Sequence, residues 1–108
     1  MADARPAPPR VYRVLRAVEW DALQATGLYR GNATDVRDGF IHLSLRDQVA
    51  GTLERHFAGE TGLVVVEIDA AQLGERLRWE PSRGGVLFPH LYGVLTMEAV
   101  VGPVDAWG

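Results

Sequence analysis

The chain has 108 residues, enough for one domain that buries about 60–70% of the surface its unfolded form exposes. Its net charge is −3 and its basic residues are arginines scattered singly, which argues against a nucleic-acid groove. Cysteine is absent, so disulfides, thiol catalysis and thiolate metal sites are excluded; no apolar run approaches the roughly 20 residues of a membrane span, and a cytoplasmic setting without a membrane partner is expected.

Residues 1–10, MADARPAPPR, read as a flexible tail, and residues 11–108 as a single α+β domain. Val11 to Leu15 reads as the first strand. Glu19 to Ala25 follows as a short helix, with Trp20 and Leu23 on a shared buried face and Gly27 as its stop. Residues 28–38, with Gly31-Asn32 and two aspartates, read as a surface loop. Phe40 to Leu43 is a second strand. Ser44 suits the N-cap of a helix over Leu45–Ala58, with Asp47 completing a short capping box. Leu45, Val49, Leu53 and Phe57 form its apolar stripe, weakened by Gly51 and ended by Gly59.

Leu63 to Ile68 is nearly continuous in apolar residues, as expected of a strand covered on both faces, and belongs at the centre of a sheet. Asp69 to Gly74 is a turn or one short helical turn, Leu77 to Glu80 a short strand stopped by Pro81, and residues 82–85 a loop. Pro89 places Phe88–Tyr92 at an edge or in a loop. Val94–Met97 and Ala99–Trp107 supply the last one or two strands, with Pro103 again favouring an edge. Two helices come early and most strands late, which favours an α+β fold with a small mixed or antiparallel sheet over a doubly wound one. Edge-type prolines leave room for a homodimer.

Three segments carry candidate chemistry. On a strand, His42 and Ser44 face the same way, with Phe40 beside them; an imidazole there can shuttle protons, and a helix start at Ser44 suits a phosphate. Phe88, His90 and Tyr92 share a face if their segment is extended, making a shelf for a ring. Glu80 can act as a general base or bind ribose hydroxyls, and Arg78, two residues away, can pair with it or hold an anion. The catalytic candidates are therefore His42, Glu80 and His90, with Ser44, Arg78 and Tyr92 as ligand-binding candidates. His56 reads as packing at the border of the second helix's stripe. No phosphate-loop, dinucleotide-fingerprint or zinc-protease motif is present, and no metal site is expected.

Tyr12 with Trp20, DGFIHLS at 38–44, Gln48, VEID at 66–69, LRWEP at 77–81 and FPHLYG at 88–93 together resemble the small bacterial family catalogued as domain of unknown function 952. The resemblance spans about residues 11–101, and departs at Val94, where the family's proline is expected. It implies grouping with the ADP-ribosyltransferase-like fold, whose members bind NAD in a cleft between two small sheets. His42 would then resemble the ribose- or amide-binding histidine of such a cleft. Tyr92 or Tyr29 would stack on nicotinamide, and Glu80 would hold a ribose hydroxyl.

Three functions follow. The first is an enzyme acting on a nucleotide, NAD or an ADP-ribose derivative. The second is a two-histidine phosphoesterase, because Phe-Ile-His-Leu-Ser-Leu fits one such element, although His-Leu-Tyr departs from the pattern at the second. It requires the ring nitrogens of His42 and His90 to lie within about 8 Å. The third is a non-catalytic binding or interaction module.

Overall fold

The computed structural model describes residues 10–104. The expected tail over residues 1–9 and the end of the last strand at residues 105–107 lie outside the described residues. Arg10, assigned above to the tail, opens the first strand. In chain order the elements are β1 (Arg10–Arg16), α1 (Ala17–Thr26), β2 (Leu28–Tyr29), α2 (Ala33–Asp38), β3 (Ile41–His42), α3 (Val49–His56), β4 (Leu63–Asp69), β5 (Leu77–Pro81), β6 (Leu87–Leu91), β7 (Leu95–Thr96) and β8 (Val100–Val104), with short 3-10 turns between some of them. The strands form three antiparallel sheets, β1-β4-β8, β2-β7 and β3-β6-β5. The α+β class with small antiparallel sheets is as the sequence implied.

Strand β4 lies at the centre of its sheet, and both its faces are covered. Val64, Val66 and Ile68 join Val11 and Leu15 in the main core, which also takes in Leu23, Ile41, Leu43, Leu73, Leu91 and Leu95. Val65 and Leu63 face the other way with Tyr12 and Val14, under Val49, Leu53 and Phe57 of the α3 segment. Period-2 alternation thus sorts one apolar run into two packing layers.

The structure corrects several expectations. Residues 28–38 are not a plain loop: they hold β2 and the helix α2. Asn32 caps α2, its Oδ1 accepting the Asp35 N–H at 3.0 Å while Asp35 Oδ2 accepts the Asn32 N–H at 2.7 Å. Reciprocal bonds of this kind satisfy amides that a helix start leaves orphaned. Two aspartates in a polar stretch hid that helix.

Ser44 is not a helix cap. Its N–H donates to the Tyr12 carbonyl at 2.9 Å and its carbonyl accepts the Tyr12 N–H at 2.8 Å, which ties the chain after β3 to the edge of β1. The helical segment opens one residue later, where the Leu45 N–H donates to Gln48 Oε1 at 2.8 Å. A 3-10 turn over Arg46–Gln48 precedes α3, so the α-helix is shorter than the apolar stripe suggested.

Strand β6 is not an edge; it is the middle strand of β3-β6-β5. Pro89 is tolerated there because its nitrogen faces the short strand β3. The Leu43 N–H donates to the Pro89 carbonyl at 3.0 Å, and proline has no N–H to return the bond, so the β3 ladder stops at that pair. Pro103, by contrast, does lie on an edge strand, β8.

Candidate functional site

The register of the small sheet sets His42 directly opposite His90. Because Leu43 and Pro89 form a hydrogen-bonding position, alternation makes the His42–His90 pair a non-hydrogen-bonded one, in which facing side chains come closest. The two imidazole centroids are 5.6 Å apart and near edge-to-face. Phe40 lies against both rings, stacked on His90 at 3.9 Å and tilted against His42 at 4.6 Å. Ile41, Leu43 and Leu91 point to the opposite face and are buried in the main core. The apolar side of the sheet therefore anchors the polar side.

Each histidine is held by a carboxylate. His42 Nδ1 lies 2.7 Å from Asp35 Oδ1, and its Nε2 lies 3.0 Å from Asp38 Oδ2. His90 Nδ1 lies 2.8 Å from Glu80 Oε1, which also accepts the Tyr92 hydroxyl at 2.8 Å. These bonds hold the Glu80 carboxyl below its ordinary range and push the Tyr92 hydroxyl up. His90 Nε2 has no hydrogen-bond partner among the described residues. Every fully buried side-chain nitrogen and oxygen among them is paired, so the unpaired Nε2 keeps some contact with solvent although the ring is largely buried.

Behind His42 lies a buried ion pair. Arg13 leaves the middle of β1 and meets Asp35 with two hydrogen bonds, NH1 to Oδ1 at 2.9 Å and NH2 to Oδ2 at 2.8 Å. Both side chains are buried. Arg13 also donates to the His42 carbonyl at 2.9 Å and to the Tyr29 hydroxyl at 2.8 Å. Burial alone would push the Asp35 carboxyl up. The bonds from His42 and Arg13 outweigh it and hold the group well below the usual carboxylate range. Tyr29 is shifted the other way, its hydroxyl pushed up by burial.

A cleft of about 560 Å³ opens over the histidines, between β1 on one side and β3 with β6 on the other. His42, His90, Ser44 and Phe88 line it, as do Arg13, Arg16 and Arg37. That size lies within the usual range for small-molecule sites. The lining holds three arginines against two aspartates, Asp35 and Asp38, in a chain whose net charge is −3. The Ser44 and Thr52 hydroxyls meet at 3.1 Å on its wall. Among the described residues, no group of three or more His, Asp or Glu side chains is arranged to hold a metal ion, and no helix is long and apolar enough to cross a membrane.

The family model described as Protein of unknown function (DUF952) matches residues 14–103. The chain belongs to this family. Its fold is similar to that of the Caulobacter crescentus protein CC0527, as seen in a crystal structure (TM-score 0.84, 45% identity, covering 89% of this chain and 84% of that one). The solution NMR structure of CC0527 gives a TM-score of 0.80 at 44% identity, over 91% and 84% of the two chains. No curated protein matches the chain.

In this DUF952 chain the sequence candidates divide into three groups. His42, His90 and Ser44 line the cleft. Glu80 and Tyr92 do not; they sit behind His90 and orient it, with the Arg78 guanidinium over the Tyr92 ring at 4.7 Å. Tyr29 is buried in the core, its hydroxyl bound to Arg13, so its ring is not presented to the cleft for stacking. His56 is exposed and lines the cleft rather than packing at a stripe border. Arg13, Asp35 and Asp38 went unnoticed in the sequence. Two signals pointed to the first two: an arginine within the otherwise apolar Val11–Leu15 run, and aspartate three residues after Asn32 in a capping pattern.

Proposed function

We propose that the cleft binds a nucleotide, NAD or an ADP-ribose derivative, and that His42 and His90 act on it as an acid–base pair. The observation that carries this reading is the pair of carboxylate-held imidazoles facing each other in an arginine-lined cleft. With Glu80 holding Nδ1, His90 directs Nε2 outward as a proton acceptor. His42 has carboxylate oxygens at both ring nitrogens, Asp35 at Nδ1 and Asp38 at Nε2, an arrangement that suits a proton donor. The placement of the cleft between two small sheets agrees with what the resemblance to ADP-ribosyltransferase-like proteins implies. Arg16 and Arg37 supply charge for a pyrophosphate, and Phe57 and Phe88 supply apolar wall for a ring.

Calorimetric titration with NAD, ADP-ribose and RNA bearing a 2′-phosphate tests the proposal. Saturable binding of at least one, lost in His42→Ala and His90→Ala, is the expected result. Absence of heat with all three would overturn it.

The 5.6 Å between the ring centroids favours a second reading, hydrolysis of a phosphodiester by two histidines. It predicts turnover of a 2′,3′-cyclic nucleotide with a bell-shaped pH profile that either histidine variant abolishes. Tight binding without turnover, retained in the double histidine variant, would instead mark a binding module.

A further inference from the structure

The two carboxylates on His42 differ in kind. Asp35 is 2% exposed and held by Arg13, by the Asn32 and His42 amides and by the His42 ring. It cannot leave without uncovering a buried guanidinium. Asp38 is the last residue of α2, with about a third of its side chain exposed. Among the described residues its hydrogen bonds are to His42 Nε2 at 3.0 Å, through Oδ2, and to Arg37 Nε at 3.0 Å, through Oδ1. Arg37, Asp38 and His42 all line the cleft.

One carboxylate thus bridges an imidazole nitrogen and a guanidinium N–H, the groups an oxyanion on a ligand would seek. We infer that Asp38 stands in for the anionic group of the ligand: a phosphate entering the cleft takes its place on His42 Nε2 and Arg37, and Asp38 turns outward. The inference rests on the nucleotide reading for the identity of the ligand, and it names the subsite at which that ligand's phosphate is held. Exchange is cheap at this position because an exposed ion pair contributes little to stability. Gly39, in the left-handed region at φ 86°, follows Asp38 and ends the helix there, so the side chain can rotate without unwinding α2. Asp38 then acts as a competitor built into the site. It keeps His42 and Arg37 paired when no ligand is present, and it weakens binding of any anion that must displace it.

Inorganic phosphate is the probe, titrated at constant ionic strength into the wild-type chain, Asp38→Asn and Asp38→Ala, with the backbone amide resonances of Gly39 and Leu43 followed by NMR. Removing the competing charge is expected to tighten phosphate binding about tenfold, equivalent to about 1.4 kcal/mol. Adding Arg37→Ala or His42→Ala to Asp38→Ala should abolish the gain. Thermal unfolding checks that each variant is folded, and Asp38→Asn keeps the side-chain shape should alanine disturb α2. Equal or weaker phosphate binding in both Asp38 variants would overturn the inference, as would a gain that persists without Arg37 and His42. The two readings fail separately. Nucleotide binding with no effect of Asp38 rejects this subsite alone, whereas phosphate tightening in a chain that binds no nucleotide rejects the nucleotide reading alone.

Discussion

Asp35 accepts five hydrogen bonds on one buried carboxylate: two from Arg13, two from His42 and one from the Asn32 amide. Replacing it with asparagine leaves the Arg13 guanidinium buried without a counter-charge. Removing one partner of such a pair costs about 3–5 kcal/mol, and urea unfolding of Asp35→Asn at neutral pH should show a loss of that order. The pH dependence has a definite sign. The folded-state pKa of Asp35 lies below its unfolded value, so its stabilisation is fully present above the unfolded value of about 3.9 and declines as acid protonates the group in the native state. Wild-type stability should therefore fall with pH below about 4, and Asp35→Asn should show a shallower acid slope in the same range. An equal slope in the two chains would mean that other carboxylates dominate acid unfolding.

At the level of the element, α2 is the piece that assembles the site. It spans six residues, too few to be stable by propensity alone, and it depends on its caps and on the Arg13 pair. Gly31 lies just before the cap, at φ 101°, where a Cβ would fall 2.6 Å from the Asp35 Cβ. Gly31→Ala combines backbone strain of about 1–3 kcal/mol with that overlap. It should lower the melting temperature and broaden the His42 imidazole resonances, while those of residues in β4 stay unchanged. Sharp, unshifted His42 signals would show that α2 can move without disturbing the histidine. This element was hard to see in the sequence because α2 has no long apolar stripe; its signal is a cap and a buried aspartate. Strand β4 was easy to see because a strand covered on both faces needs an apolar residue at nearly every position. Strand β6 was misplaced because proline usually marks an edge, whereas here Pro89 only ends a two-residue ladder.

For the whole molecule, a ligand that binds only the folded state raises stability by mass action. At 100 times its Kd the gain is about 2.7 kcal/mol, which for a domain near 100 residues is a melting shift of roughly 10 °C or more. NAD, ADP-ribose or a cyclic nucleotide should produce such a shift in the wild-type chain. The His42→Ala, His90→Ala double variant should fold and show none, because its substitutions lie on the cleft face and leave the core face of Ile41, Leu43 and Leu91 intact. A double variant with the full shift would place the ligand elsewhere.

Local pattern in the sequence was enough for the α+β class, the central strand β4 and the face that Phe88 and His90 share. Those conclusions depend on alternation, capping and composition, which act over a few residues. Sequence alone did not reveal which carboxylate serves which histidine. Asp35 and Asp38 reach His42 through a helix turn and a chain reversal, Glu80 reaches His90 across a strand pair, and Arg13 reaches Asp35 from another sheet, 22 residues away in the chain. Such pairings depend on strand register and on the fit of the two sheets, set by the packing of the whole core. Tertiary structure therefore decided that Ser44 bridges to β1 instead of capping a helix, that Tyr29 belongs to the buried network, and that Glu80 holds His90 from behind the cleft.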